Sequence, residues 1–187
     1  MTSDVKKQLK KIEQHISQGE FKKALKSIEK TLKIDDIKLE EKLTCLALKS
    51  EILTKMGDYQ EVLVIAEAVI KESQDQDLVL PRLDVLIQQS EAYWRTGNFV
   101  QHLVTLHLGE QLLQKLDKLS KKAYAKRKAL LLLLKVGVPY VKGEYSLALE
   151  YCKQALSFAE RCDNKQLIAQ ITIVLGDNFR LQMKYKN

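Results

Sequence analysis

Residues 19–32 read GEFKKALKSIEKTL, and the glycine–polar–aromatic motif that opens this stretch occurs three more times in the chain. The four copies begin at Gly19, Gly57, Gly97 and Gly143, and a degenerate fifth copy lies at Met183–Tyr185. A leucine follows each of the four glycines by six residues, and the aromatic residues of successive copies are 38, 40 and 46 residues apart. Repetition at a period of about 40 residues is typical of a protein built from repeated structural units.

Amphipathic helical patterns lie on both sides of the first glycine. Apolar residues recur three and four positions apart, as they do on one face of a helix; they are Leu9, Ile12 and Ile16 before Gly19, and Ala24, Leu25, Ile28 and Leu32 after it. Glycine readily adopts the positive φ that ends a helix, so each motif is predicted to join two antiparallel helices. Such a pair buries its apolar face only by stacking on its neighbours, which predicts an all-α fold of the α-solenoid type.

The repeat resembles the tetratricopeptide repeat (TPR) family. The resemblance rests on the glycine–x–aromatic turn, on a small residue five positions after the glycine, and on small or apolar residues nine and twelve positions after it. The small residues five positions after the glycine are Ala24 and Ala148. Nine positions after it lie Ile28, Ala66 and Cys152, and twelve positions after it lie Thr31, Val69 and Ala155. The resemblance implies a right-handed α-solenoid of about four repeats plus a final single helix. The period exceeds the usual 34 residues of the family, which predicts longer helices.

One repeat domain, 1–187, is predicted on this basis. Its repeats are placed at 4–36, 37–76, 77–118 and 119–163, with a half-repeat at 164–187. Within the fourth repeat, Gly137-Val-Pro139 predicts a break in the first helix, because proline removes one helical hydrogen bond and clashes with the preceding turn. Pro81 is instead expected in the first turn of a helix, where proline is tolerated.

The half-repeat 164–187 is expected to be one helix without a second helix to pair with. Its apolar residues form a stripe consisting of Leu167, Ile168, Ile171, Val174, Leu175 and Phe179. Because solenoids normally end in a polar cap, the chain is expected to be a fragment of a longer array, or its end to be covered by a partner. A homodimer through this C-terminal helix and a helix that frays from its end are the two outcomes predicted.

Composition predicts a folded protein of the cytoplasm. The chain has 187 residues, 45% of them apolar, and 31 basic against 24 acidic residues give a net charge of 31 − 24 = +7. This apolar content excludes general disorder, and no run approaches the ~20 apolar residues of a membrane span. The N-terminus lacks the pattern of a secretory signal. Cys45, Cys152 and Cys162 have no metal-like spacing and are expected to be reduced thiols.

No motif of catalysis stands out in the sequence. It lacks a glycine-rich phosphate loop, a serine nucleophile elbow and a paired-histidine zinc helix. His102 and His107 are five residues apart, which does not place both rings on one helix face. The prediction is therefore a protein that is not an enzyme, without a cofactor and without a metal site.

Three lysine-rich clusters offer a different kind of surface. One lies between Lys115 and Lys128, where seven basic residues accompany a single acid, Asp117; the others are Lys6, Lys7, Lys10 and Lys11, and Lys22, Lys23, Lys26 and Lys30. Such clusters can hold phosphate backbones, but no aromatic residues are interleaved as a stacking platform for bases. Solvated lysine faces are favoured over nucleic-acid binding. A self-associating or nucleic-acid-associated adaptor remains the alternative function.

The TPR resemblance also implies a groove, lined by the first helices of successive repeats, that receives a peptide or helix of a partner. Counting back from each turn gives the candidate groove residues. Six residues before a turn lie Glu13, Glu51, Glu91 and Asp177; three residues before it lie Trp94 and Tyr140; ten residues before it lie Ile87 and Leu133. A column of carboxylates beside an apolar column predicts a protein-interaction scaffold for a basic, amphipathic peptide. The alternative, solvated glutamates and an apolar column that packs between repeats, stays open.

Overall fold

The structure, a computed structural model, describes residues 3–74, 76, 78–116 and 119–185, although not the side chains of Ser3 and Tyr185. This part of the chain contains helices and no strand, which confirms the all-α prediction. The helices are α1 (Ser3–Ser17), α2 (Phe21–Leu32), α3 (Leu39–Met56), α4 (Tyr59–Gln74), α5 (Val79–Arg95), α6 (Phe99–Gln114), α7 (Lys121–Lys135), α8 (Gly137–Val141), α9 (Tyr145–Arg161) and α10 (Lys165–Tyr185).

The four predicted turns lie at their glycines. Gly19, Gly57, Gly97 and Gly143 have φ angles of 73°, 82°, 77° and 76°. At Gly97 the glycine amide donates to the Trp94 carbonyl (3.2 Å) and the Asn98 amide to the Tyr93 carbonyl (2.8 Å). These bonds satisfy carbonyls that the end of α5 would leave unpaired. The aromatic residue of each motif begins the next helix, as the sequence predicts.

The chain divides into two compact units between His102 and Leu103. In the first unit, α1 packs on α2 and α3 packs on α4, while α3 also contacts α1, α2 and α5. The helices that precede the glycine turns are α1, α3 and α5, and they pack beside one another in the order in which they occur in the chain. Ile12, Ile28 and Ile52 form one core cluster of this unit, and Leu43, Val62 and Val69 belong to a second.

In the second unit, α9 packs against α7, α8 and α10. Ala155 and Ala159 of α9 are fully buried and meet Leu132 of α7 and Ile171 of α10. Alanine leaves the backbone of α9 accessible to both neighbouring helices, which allows close packing on two sides. Within the predicted segment 164–187, α10 covers Lys165–Tyr185, with Leu167 and Ile171 buried on its inner side.

Both prolines lie where the sequence places them. α7 ends at Lys135 and α8 begins at Gly137, so the first helix of the fourth pair is interrupted as predicted. Pro139 has no amide hydrogen to donate to the Lys135 carbonyl. The helical hydrogen-bond pattern resumes at Tyr140, whose amide donates to the Val136 carbonyl (3.1 Å). Pro81 is the third residue of α5, within its first turn.

No helix in the ranges described above is both long and apolar enough to cross a membrane.

Candidate functional site

The predicted groove positions of the first unit lie on helices that pack side by side. Glu13, Glu51 and Glu91 belong to α1, α3 and α5, respectively. Each lies six residues before a turn glycine with a positive φ angle. Glu13 is exposed, whereas Glu51 and Glu91 are half-buried. The structure therefore places these carboxylates at corresponding points of neighbouring helices.

Cations of the same helices neutralise two of these carboxylates. Arg95 Nε lies 2.7 Å from Glu91 Oε1, and Lys55 Nζ lies 3.9 Å from Glu51 Oε1. The hydrogen bond to Glu91 raises the pKa of Arg95 above its ordinary value, since the ionised guanidinium is the form that Glu91 stabilises. Attraction of a basic peptide to this column is weakened by the paired cations.

Trp94 lies half-buried at the end of α5 in an aromatic cluster. Its ring centroid is 5.0 Å from that of Phe99 and 5.3 Å from that of His102. Phe99 is 46% exposed, so the cluster reaches the surface through Phe99 and the outer part of Trp94. Ile87 is buried and contributes to the core beneath, where a partner does not reach it.

A buried serine–histidine contact supports this cluster from below. His102 Nδ1 lies 2.9 Å from both the hydroxyl and the backbone carbonyl of Ser90. Because a carbonyl only accepts, Nδ1 carries the proton. Both side chains are fully buried, so the pair ties the start of α6 to α5 and is closed to substrates. The sequence argues against His102 and His107 as a pair of metal ligands, but it does not reveal this contact with Ser90.

The predicted groove residues of the second unit have separate surroundings. Leu133 packs, partly buried, against two core clusters of the unit. Tyr140 makes an edge contact with Tyr145, with ring centroids 6.2 Å apart. Asp177 is exposed and lies 3.6 Å from Arg180. These three residues therefore have packing or ion-pair roles within their own unit.

The sequence prediction missed an exposed apolar face on α6. Five large apolar side chains of this helix reach solvent: Phe99, Val100, Leu103, Val104 and Leu108, which are 46%, 72%, 48%, 51% and 45% exposed. The only charged residue of α6 is Glu110, which pairs with Lys135 at 2.6 Å. The signal was present in the sequence, since α6 has one charge in sixteen residues, in a chain that is 29% charged, and its apolar residues are spread around the helix and not confined to one face.

Two of the three thiols are buried. Burial raises the pKa of Cys45 and of Cys152 to about 11, so both are protonated and unreactive at neutral pH. Across the described ranges, no three side chains of histidine, cysteine, aspartate or glutamate are grouped so as to hold a metal ion.

The lysine clusters of α1 and α2 are solvent-exposed. Lys6, Lys7, Lys10 and Lys11 project from α1, and Lys22, Lys26 and Lys30 from α2, while Lys23 pairs with Glu20. In the third cluster, Lys115, Lys121 and Lys122 are exposed, and Lys126, Arg127 and Lys128 are half-buried. Asp117 and Lys118 lie outside the described residues.

Comparison with models of protein families finds no match for this chain, and neither curated proteins nor solved structures yield one.

Proposed function

We propose that this protein is a non-enzymatic interaction module, a TPR-like solenoid of about four repeats and a final helix that binds a helix or peptide of a partner protein. Support for the repeat architecture comes from four turns with nearly equal glycine φ angles and from helices that pack on their sequence neighbours. A right-handed solenoid is the form that the TPR resemblance implies.

The exposed apolar face of α6 carries the functional proposal. Val100, Leu103, Val104 and Leu108 span about 12 Å along the helix axis, or roughly two turns. Contiguous apolar surface of this kind usually marks an interface. Its complement is the apolar side of an amphipathic helix, with anchors three and four residues apart. Phe99, backed by Trp94, extends the apolar face at its N-terminal end.

We expect charge complementarity to contribute less to partner binding than the sequence alone suggests. Glu51 and Glu91 already have cationic neighbours, and α6 offers no unpaired charge. Binding at α6 should therefore depend little on salt, because screening acts on exposed charges and not on apolar burial.

A selection from a displayed library of amphipathic helices tests the proposal. The wild-type protein should enrich peptides with a continuous apolar stripe, and their affinity, measured by fluorescence anisotropy, should change less than threefold or so between 0.05 and 0.5 M salt. The double variant Val100→Glu/Val104→Glu should weaken binding by about tenfold or more, because it places two charges in the apolar contact.

Val64→Glu provides the matched control. Val64 is 59% exposed and lies on α4 seven residues after Gly57, as Val104 lies seven residues after Gly97. This variant should bind like the wild type. Equal loss in the control, or no enriched peptide at all, would contradict the proposal.

The lysine clusters support a second candidate, an adaptor that self-associates or associates with nucleic acid. Eight lysines of α1 and α2 are exposed, and seven of them, all but Lys23, have no acidic partner among the residues that the structure covers. Retention of nucleic acid that disappears between 0.05 and 0.5 M salt, and that is unaffected by Val100→Glu/Val104→Glu, would favour this candidate.

A further inference from the structure

A cavity of about 780 Å³ lies in the second unit, and none of its lining residues belongs to the exposed apolar face of α6. Its apolar wall includes Leu113 from the C-terminal turns of α6, Leu116 beyond that helix, and Phe158 from α9. Tyr124 and Lys121 of α7 and Arg161 at the end of α9 supply polar atoms. Cavities of roughly 300–1,000 Å³ with apolar walls and a few convergent polar groups are the usual form of small-ligand sites.

Two cations at this cavity have no counterion among the described residues. Neither Lys121 nor Arg161 has an acidic partner within the ranges described, and the described residues that line the cavity include no carboxylate. Both side chains are exposed. A concave site with two positive charges and no negative one attracts anions, and an arginine fork suits a carboxylate in particular.

The aromatic wall holds one of these cations in place. The Arg161 guanidinium carbon lies 4.9 Å from the centroid of the Phe158 ring, and the Tyr124 ring meets Phe158 edge-on at 6.4 Å. Stacking on the ring restricts the arginine side chain and leaves its N–H groups available. The cation and the apolar surface that a ligand would use are therefore adjacent.

We infer that this cavity binds a carboxylate carried on an apolar body, with Arg161 and Lys121 on the anion and Leu113, Leu116 and Phe158 around the body. The carboxylate can come from a free small acid or from a glutamate flanked by apolar residues in a partner peptide. The inference is independent of binding at α6, because none of these side chains belongs to its exposed face.

Titration followed by NMR chemical shifts of the Tyr124 and Ala125 amides tests this site. One arm uses 4-phenylbutyrate, with 4-phenylbutan-1-ol as its neutral counterpart. The other uses an acetylated, amidated peptide with glutamate between leucine and phenylalanine, and the same peptide with glutamine. A Kd on the order of 1 mM is expected for a ligand of this size, and the neutral counterparts should bind at least about tenfold more weakly.

Substitutions at the two cations complete the test. Arg161→Gln should raise Kd about tenfold and Lys121→Gln about threefold, since the lysine is a flexible point charge. Lys122→Gln, an exposed neighbour outside the cavity, should leave Kd unchanged. Binding in the phenylbutyrate arm identifies a free acid as a sufficient ligand, and binding in the peptide arm alone identifies a partner segment. Absence of binding in both arms, equal binding of the neutral counterparts, or an equal loss with Lys122→Gln would overturn the inference.

Discussion

Helices α2 and α6 occupy the same place in their helix pairs and differ on the side that faces solvent. Three, seven and eleven residues after the turn glycine, α2 carries Lys22, Lys26 and Lys30, whereas α6 carries Val100, Val104 and Leu108. All six residues are exposed. The exposed column is mostly polar in α9, with Ser146, Glu150 and Gln154, and mixed in α4, with Gln60, Val64 and Ala68.

Helices α2 and α6 are buried at the same two positions, although a histidine stands in place of an alanine at one of them. Five and nine residues after the glycine, α2 buries Ala24 and Ile28, and α6 buries His102 and Leu106. The repeat therefore constrains the side that packs on neighbouring helices and leaves the solvent side free to differ. The change from lysine to large apolar residues on the solvent side points to a different binding partner, and it is the reason to assign the partner to α6.

The largest effect should come from the shared buried position. Ile28→Ala and Leu106→Ala should each lower the free energy of unfolding by about 2–5 kcal/mol, because each leaves a cavity in a packed interface. Urea denaturation measures this loss, and Ile28→Val, at about 0.5–1.5 kcal/mol, calibrates it. If Leu106→Ala cost less than Ile28→Val, the two helices would not pack alike and the comparison would fail.

The sequence alone predicts the helix ends and helix starts that a few adjacent residues determine. A glycine at positive φ followed by an aromatic residue sets each helix end and the next helix start, so the turns at Gly19 and Gly97 and the start of α6 at Phe99 follow from a few adjacent residues. The interruption before Pro139 follows equally from one missing amide hydrogen.

The candidate sites depend on residues that are distant in sequence or on knowing which side of a helix is covered. Counting from the glycines identified Trp94 but not its contact with Phe99, and it left open whether Ile87 lines a groove or packs between repeats, whereas the structure buries it. The cavity at Phe158 joins residues more than forty positions apart, which no repeat spacing encodes. The exposed face of α6 escaped prediction because an apolar residue in a helical pattern was assumed to belong to the core.

Exchanging the exposed columns should change surface behaviour with little effect on stability. Replacing Val100, Val104 and Leu108 by lysine should lower the free energy of unfolding by less than about 1 kcal/mol, a cost that comes from repulsion between lysines four residues apart. A naphthalene-sulfonate dye, which fluoresces when bound to exposed apolar surface, should give a weaker signal with this variant than with the wild type. The reciprocal exchange, Lys22→Val, Lys26→Val and Lys30→Leu, should raise it. A loss of stability well above 2 kcal/mol in the α6 variant would show that the protein itself covers this face.

The smallest effect concerns the turns that precede the two helices. Glu20 follows Gly19 and accepts hydrogen bonds from Lys23 and His15, whereas the corresponding residue after Gly97 is the uncharged Asn98. Those bonds, first from Lys23 and then from His15, lower the pKa of Glu20 below its ordinary value. A lowered pKa in the folded state means that the ionised group adds stability above the pKa of the unfolded chain. That contribution disappears as the pH falls through the lower, folded-state pKa.

Glu20→Gln should therefore lower the urea midpoint slightly at pH 7, where the carboxylate is ionised in both states. The difference from the wild type should shrink as the pH falls through the lowered, folded-state pKa of Glu20 and vanish once the carboxyl is protonated in both states. Asn98→Ala, at the matching turn, removes a weak amide contact from Gln101 (3.4 Å) and should produce a difference that does not vary with pH. A pH-independent effect of Glu20→Gln would mean that packing of the side chain, and not its charge, distinguishes the turn before α2 from the turn before α6.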